Sequence, residues 1–269
     1  MTSGNSSLAG LYARKIRTTL ELSMNLERTF AEWSALRGSP VEAQKVVADA
    51  SSHFVELDDN GMRWLQVSLT DEKRKFFAAA LLVGAPAISE NLYQPLLHAA
   101  VYETSPLRVQ AFMEPLVKAF TVKRVYQNLI DYIEKGTDFE KAGAVNALHW
   151  VGERKSSGES GRHRPDMGMM SLDDYRRMLY MNTFINNHDL DVRRSIITYV
   201  DMDPFTANAP MKELIEKVTK LARAHPDEYI RHRIEVQLGR SPSAYSLPAR
   251  KPIDATESTK KSWWKQLWK

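Results

Sequence analysis

The histidines are the residues whose chemistry would be easiest to recognise, as metal ligands or as proton carriers. They are scattered along the chain, and no pair has the HxxxH or HExxH spacing that places two imidazoles on one helical face. His98 and His149 adjoin apolar residues on predicted helices, where a hydrogen-bonded core or groove histidine is the usual arrangement. The sequence therefore predicts no metal site and no cofactor. The seven are His53, His98, His149, His163, His188, His225 and His232.

Cysteine chemistry is excluded, because the 269-residue chain contains no cysteine. Disulfides, thiolate-bound zinc, iron–sulfur clusters and cysteine nucleophiles are all ruled out together. The first 20 residues lack the continuous apolar run of a signal peptide. The longest apolar stretch, Phe76–Val83, is far shorter than the ~20 residues needed to cross a bilayer. We expect a cytoplasmic protein, with any membrane attachment being peripheral.

The last ten residues, Lys260–Lys269, form the most unusual segment of the chain. They hold four lysines, no acidic residue and three of the six tryptophans. The whole chain has 37 basic and 33 acidic residues, a net charge of +4, so this segment accounts for the entire excess. The remaining body is neutral, which disfavours nucleic acid as a partner but does not exclude it.

A helical arrangement of the tail would be amphipathic. Ten residues cannot span a bilayer, so any membrane contact would be interfacial, with tryptophan in the headgroup region and lysines near anionic lipid. Docking into a protein groove, its own or a partner's, is an alternative interpretation, and an end without a binding role is a third. The apolar arc is Trp263, Trp264, Leu267 and Trp268, and the adjoining basic stripe is Lys261, Lys265 and Lys269.

The rest of the chain shows apolar residues at helical spacing from near its start. Ser39 followed by Pro40 predicts the start of a helix, with a serine cap and a proline in the first turn. The stretch 62–69 is compatible with a short helix or an extended segment. Caps for later helices are predicted at Thr70, Ser89, Ser105, Thr121, Thr137 and Ser171.

A repeat becomes visible after residue 70. Basic residues near the starts of five predicted helices act as anchors, and the first three recur every 33 residues. The next gap is longer because a polar insertion occupies residues 153–170. Small or aliphatic residues follow three positions after every anchor, which is typical of stacked helix pairs. The anchors are Lys75, Arg108, Lys141, Arg193 and Arg231.

Residues 189–197 (DLDVRRSII) resemble the opening of the first helix in HEAT repeats. Residues 105–111 (SPLRVQA) and 226–234 (PDEYIRHRI) are looser versions, and Pro115 is similar to the proline that often kinks these helices. The resemblance covers roughly residues 70–239 and departs in the first unit, which lacks the apolar residue before its anchor. It implies a right-handed α-solenoid of helix pairs, and it specifies fold rather than function.

In such a solenoid the second helix of each pair would line a concave binding face. We expect those helices at about residues 89–102, 122–135, 172–186 and 210–224. Their polar side chains are candidates for contacting a partner, although the solvated sides of amphipathic helices have the same composition. The candidates are Gln94, His98, Gln127, Asn128, Asp131, Arg176, Arg177 and Asn182.

Some HEAT-like proteins are DNA glycosylases for alkylated purines, with a basic cleft, a tryptophan and a catalytic aspartate. Trp150 and Asp131 could be assigned such roles, but the neutral body and the missing motif around them favour packing for Trp150. Whether the chain is an enzyme stays open, and the non-enzymatic interpretation is favoured with no catalytic residue assigned. The glycosylase is the alternative.

The sequence as a whole predicts an all-α protein. We expect an N-terminal helical cap over residues 1–69, HEAT-like repeats over 70–239, a flexible linker over 240–259 and the tail over 260–269. The predicted function is a non-enzymatic scaffold that binds a protein. The tail would carry this scaffold to an anionic membrane surface or to a partner.

Overall fold

The computed structural model describes residues 26–36, 38–52, 59–153, 171–204 and 207–239. Within those ranges every regular element is a helix, and no strand is present, which confirms the predicted all-α class. A short 3-10 helix, Glu90–Leu92, precedes the fifth α-helix. The helices are α1 (residues 26–35), α2 (Pro40–Ser52), α3 (Asp59–Ser68), α4 (Lys75–Gly84), α5 (Tyr93–Val101), α6 (Pro106–Ala119), α7 (Val122–Lys135), α8 (Asp138–Glu153), α9 (Leu172–Asn186), α10 (Leu190–Tyr199), α11 (Ala209–Arg223) and α12 (Glu228–Gln237).

The helix starts follow local capping chemistry. Helix α2 begins at Pro40 as predicted. Thr137 and Glu140 form a reciprocal capping box at the start of α8, in which the Thr137 amide donates to the Glu140 carboxylate at 2.8 Å. The prediction for Thr70 is wrong, because its hydroxyl donates to the Val67 carbonyl and α4 begins only at Lys75. The ambiguous stretch from residue 62 is helical through Ser68, within α3.

The aligned repeat positions fall on buried helix faces. All five side chains placed three residues after an anchor are at most 1% exposed, which confirms the predicted register of the first helices. One side of each of these five helices therefore belongs to the core, and the anchor Lys75 is itself only 6% exposed. The five are Ala78, Ala111, Ala144, Ile196 and Ile234.

The chain divides into two compact units. The described residues of the first unit are 26–36, 38–52, 59–100 and 110–121; those of the second unit are 101–109, 122–153, 171–204 and 207–239. Helix α6 contributes residues to both. The domain boundaries predicted at residues 69 and 239 stay predictions.

Phe77 of α4 is the centre of an aromatic cluster in the first unit. Its ring lies 5.2 Å from that of Trp33 and 5.7 Å from that of Phe30, measured between centroids, and Trp64 meets it edge-on at 6.2 Å. Phe77 itself is fully buried. Such clusters bury large apolar areas and add ring–ring attraction, so they hold α1, α3 and α4 together.

The second unit is built as two alternating layers. Helix α8 packs on α10, and α10 packs on α12, while α7, α9 and α11 contact one another in the same order. Each consecutive pair, α7 with α8, α9 with α10 and α11 with α12, connects the two layers. Helices that alternate along the chain thus lie side by side, which places equivalent turns of α8, α10 and α12 next to one another.

Candidate functional site

A cavity of about 620 Å³ opens across the layer formed by α8, α10 and α12 in the second unit. The connection between α5 and α6 closes one side of it. Four of its lining residues occupy the same repeat position, two residues before an anchor, in four successive first helices: Pro106, Phe139, Asp191 and Tyr229. The repeat therefore builds the cavity wall, one turn from each helix.

Exposed aromatic rings line the mouth of the cavity. Phe139 is 51% exposed and Tyr229 is 43% exposed. Tyr102 lies against Phe139 with ring centroids 5.4 Å apart, and its hydroxyl donates to the Glu140 carboxylate at 2.8 Å. The Tyr229 hydroxyl and the Thr198 hydroxyl are 2.9 Å apart. These contacts hold the rings in place, and Phe139 and Tyr229 keep about half of their surfaces exposed.

Carboxylates outnumber cations in the lining. Glu103, Asp189 and Asp191 stand against the single guanidinium of Arg194. Arg194 is already paired, because its Nη2 donates to Asp227 Oδ2 at 2.6 Å. That hydrogen bond holds the pKa of Asp227 below its usual value. Among the charged lining residues, carboxylates thus outnumber cations by three to one.

The acidic side chains also shape the cavity. Asp189 caps α10, with Oδ1 accepting from the amides of Asp191 at 3.0 Å and Val192 at 2.9 Å. Glu103, which is 5% exposed, accepts from the amide of Ser105 at 2.9 Å in the α5–α6 connection. The residues that give the charge thus also position the helix starts around the opening.

Gly143 in the middle of α8 makes the closest approach in the cavity wall. A Cβ added there would lie 1.8 Å from the carbonyl oxygen of Val101, far inside any contact distance. Only glycine lets the end of α5 lie directly on α8 at this point. The close approach sets the position of the α5–α6 connection, and so one wall of the cavity.

The cavity offers recognition chemistry. Aromatic faces attract apolar groups and cations, and the carboxylates accept hydrogen bonds from ammonium or guanidinium groups. Among the described residues no group of three or more histidine, aspartate or glutamate side chains is placed to hold a metal ion. The arrangement fits a ligand segment that carries both positive charge and apolar side chains.

The binding residues predicted from sequence lie on other helices. Gln94 and His98 are exposed on α5 in the first unit. On α7, Gln127 is exposed, Asn128 donates to the Arg124 carbonyl at 3.1 Å, and Asp131 accepts from Lys135 at 2.6 Å. Helices α7 and α9 contact each other, so the predicted residues of both helices lie in the second unit.

Arg177 on α9 has a structural role. It is 6% exposed, and its Nε donates to the Asp201 carbonyl at 2.7 Å while Nη2 donates to the Asp203 carbonyl. Its guanidinium thereby fixes the loop that follows α10. Arg176 forms an ion pair with Asp173 at 3.5 Å.

Three more predicted residues can be placed. Asn182 is exposed on α9. The Trp150 indole donates to the Pro106 carbonyl at 3.1 Å, which attaches α8 to the start of α6. His149 stacks on the ring of Tyr199 with centroids 4.5 Å apart. These contacts agree with a packing role for Trp150.

Tyr126 marks the contact between α7 and α9. Its hydroxyl donates to the Leu172 carbonyl at 2.7 Å, and burial raises its pKa to about 12. The nearby Arg176 opposes that shift because a cation favours the phenolate. Part of the α7 and α9 surface that was predicted to bind a partner is thus occupied by contacts within the protein.

The tail prediction cannot be placed, because Lys261, Trp263, Trp264, Lys265, Leu267, Trp268 and Lys269 lie outside the described residues. The insertion over 154–170 lies outside them as well. In the part of the chain that the structure describes, no helix combines the length and the apolarity needed to cross a bilayer.

Sequence reasoning missed the cavity because it followed the buried positions of the repeat. A signal was available: at two of the five anchors the position two residues earlier holds an aromatic ring, Phe139 or Tyr229, where a solvated helix would carry charge. The sequence does not show that α8, α10 and α12 are neighbours, and this packing is what places these positions side by side.

Comparison of the chain with protein-family models, with curated proteins and with solved structures gives no match.

Proposed function

We propose that this protein is a non-enzymatic scaffold: a right-handed α-solenoid of HEAT-like helix pairs that holds a protein segment. One observation carries the proposal, namely that equivalent turns of four successive first helices line a single cavity. In repeat proteins, equivalent residues of successive repeats that line one opening typically form a binding surface for an elongated ligand.

The proposed binding face differs from the one expected from sequence. The binding face was expected on the second helices. There, however, Arg177 is hydrogen-bonded to the loop after α10, and Asp131 forms an ion pair with Lys135. The first-helix cavity has exposed rings and an excess of carboxylates. We therefore assign the partner a segment with lysine or arginine beside apolar residues.

The nucleic-acid alternative, a HEAT-like glycosylase, receives no support from these features. A polyanion requires unpaired cations along its path. Arg177 is buried against backbone carbonyls, and Arg176 is paired with Asp173. The lining of the cavity would repel phosphate.

The tail completes the proposal as a localisation element at an anionic membrane surface, with the body in the cytoplasm. Each lysine near an anionic surface contributes about 1 kcal/mol, and tryptophan anchors in the headgroup region. The test is co-sedimentation of the full chain with vesicles of phosphatidylcholine and phosphatidylserine, beside a chain lacking residues 260–269. We expect binding that salt weakens and the deletion abolishes; equal binding of both chains would end the membrane part of the proposal.

The scaffold function is tested by comparing captured proteins between matched variants. Phe139→Ser removes the most exposed ring of the cavity (51%), and Val41→Ser removes a somewhat more exposed apolar residue (64%) from α2. We expect at least one protein to be retained by the wild type and by Val41→Ser and lost with Phe139→Ser. If every captured protein is unaffected by Phe139→Ser, the cavity does not hold the partner.

A further inference from the structure

We propose that His225 makes the start of α12 sensitive to mild acid, so that the α12 wall of the cavity is held in place at neutral pH and loosens when the imidazole gains a proton. His225 lies in the connection between α11 and α12, within the second unit. The inference goes beyond the scaffold function, because it gives the binding site a control that no ligand supplies.

A recurring turn precedes three helices of the first-helix layer, α6, α10 and α12. In each connection the residue directly before the helix donates its amide hydrogen to the side chain two residues earlier. The side chain in that position therefore helps to fix where the helix begins. The three bonds are Ser105 to Glu103 at 2.9 Å, Asp189 to Asn187 at 2.7 Å and Asp227 to His225 at 3.1 Å.

The acceptor before α12 differs from the one before α10 in its protonation chemistry. A backbone amide can only donate, so Nδ1 of His225 accepts and carries no proton. Asn187 occupies the equivalent position one repeat earlier, six residues before its anchor, and its carboxamide oxygen stays an acceptor. Imidazole takes up a proton near neutral pH, and a proton on Nδ1 turns the acceptor into a donor that faces the Asp227 amide. Acid therefore breaks this turn and leaves the Asn187 turn intact.

Cationic side chains surround the imidazole. Arg193 and Arg194 of α10 and Arg231 of α12 act on it electrostatically. Asp227 opposes them with a carboxylate, which is already paired with Arg194 at 2.6 Å. Partial burial and, after it, the charge of Arg193 hold the pKa of His225 below its usual value. A proton that binds here adds a further positive charge to a cluster of guanidinium groups.

A second imidazole belongs to the same cluster. The Arg193 guanidinium can only donate, so its contact of 3.3 Å makes Nδ1 of His188 an acceptor as well. Protonation of His188 would replace this contact by repulsion between two cations. His188 is exposed, however, whereas His225 is half-buried and bonded to the backbone. We therefore assign the switch to His225.

The His225 turn reaches the cavity through Asp227. The Oδ1 atom of Asp227 accepts from the Ile230 amide at 3.1 Å and caps α12, while Oδ2 accepts from Arg194 at 2.6 Å. Arg194 and Tyr229 both line the cavity. When the Asp227 amide loses its acceptor, the residue that caps α12 and pairs with Arg194 loses part of its support. The α12 side of the cavity then becomes less ordered.

The direction of the pH effect follows from the lowered pKa of His225. The folded state binds a proton there less readily than the unfolded state, whose value is about 6.5. The stabilisation by the neutral imidazole is complete above that pH, and it is lost as the pH falls through the lower folded-state value. The pair of Asp227 with Arg194 persists down to about pH 4, because its carboxyl pKa is lowered. The two effects therefore fall in separate pH ranges.

Hydrogen exchange of the full chain, read by mass spectrometry, tests the switch at about pH 7.5 and about pH 5.0. The readout is the protection of the peptide 224–232, corrected for the intrinsic pH dependence of amide exchange. We expect the wild-type protection to fall about five-fold at the lower pH, the size expected for one net hydrogen bond. His225→Asn supplies the acceptor that Asn187 provides one repeat earlier, and its protection should change less than about two-fold.

His188→Asn is the matched control, because it removes the other imidazole of the cluster and leaves the His225 turn unchanged. It should retain most of the wild-type loss of protection. Equal wild-type protection at both pH values would overturn the proposal without any substitution, and so would an undiminished loss in His225→Asn. Disappearance of the effect in His188→Asn alone would also overturn it, by assigning the switch to the other histidine. Far-UV circular dichroism at both pH values verifies that each variant keeps its helices.

The outcome is independent of the scaffold proposal, because no partner is present in the exchange experiment. Protection that ignores pH would leave the scaffold function intact. A pH-dependent α12, together with captured proteins that are all unaffected by Phe139→Ser, would establish the switch and reject the cavity as the partner's site.

Discussion

Replacing Gly143 with alanine inserts a methyl group between α8 and the end of α5. The added Cβ would lie 1.8 Å from the Val101 carbonyl oxygen and 2.8 Å from its carbonyl carbon. Both obstructing atoms belong to the backbone, so no side chain can rotate away to make room. An ordinary carbon–oxygen contact is about 3.3 Å or more, and the two helices must therefore separate by roughly 1.5 Å.

The size of the effect follows from two opposing contributions. Overpacking in a well-packed region costs about 1–3 kcal/mol, and a backbone-to-backbone clash belongs at the upper end of that range. Alanine is favoured over glycine in a helix interior by about 1 kcal/mol, which offsets part of the cost. We expect the free energy of unfolding to fall by about 2 kcal/mol, or the Tm by about 4–8 °C.

Urea unfolding followed by far-UV circular dichroism measures this change, with Gly38→Ala as the matched control. An added Cβ at Gly38 meets no heavy atom within 4 Å, so that variant should stay within about 0.5 kcal/mol of the wild type. Equal or greater stability of Gly143→Ala would show that helix propensity dominates. The close approach of α5 and α8 would then be wrong. Because Gly143 lines the cavity, the same variant should also weaken partner binding.

Three further predictions concern the second unit. Arg177→Met removes hydrogen bonds to two carbonyls after α10 and should lower the free energy of unfolding, measured in urea, by about 2 kcal/mol. Arg176→Met is the control and should lower it by less than about 0.5 kcal/mol. Equal losses in the two variants would contradict the role of Arg177 in fixing the loop. The Arg194 hydrogen bond lowers the pKa of Asp227, so this pair stabilises the fold above the unfolded-state pKa of about 4 and ceases to do so as the pH falls through the lower folded-state value. Asp227→Asn should flatten that acid loss in unfolding measured at a series of pH values, and an unchanged slope would argue against the pair. Burial raises the pKa of Tyr126 to about 12. The stabilisation of the fold by its neutral, buried phenol is therefore complete below the unfolded-state pKa of about 10, and it is lost as the pH rises through 12. Tyr126→Phe should delete a phenolate absorbance step near 12, and deletion of a step near 10 would refute the burial.

Several elements were predictable because their signals are local. Pro40 after a serine and the cap at Thr137 act through backbone groups within three residues. The repeat register was also readable, because a buried position such as Ala144 or Ile196 must be small or aliphatic wherever it recurs. Thr70 was assigned wrongly since a threonine before a charged turn can bond backward to a carbonyl as readily as it caps forward.

The candidate site was less predictable, because side-chain roles depend on partners that are distant in sequence. Arg177 looked like a surface cation on a polar stretch, yet it reaches carbonyls more than 20 residues away in a loop that has no motif. Phe139 and Tyr229 looked like isolated apolar residues, and only the neighbouring packing of α8, α10 and α12 gathers them at one opening.

The sequence by itself determined the helical class, several helix starts and which face of the anchored helices is buried, because these depend on period, capping and composition within a few turns. It also located the net positive charge in the last ten residues. The tertiary structure decided which exposed positions meet. Gly143 illustrates the reason: a glycine inside a helix is unfavourable locally, and the benefit appears only when the Val101 carbonyl lies against it. That contact joins helices far apart in the chain and is formed by packing alone.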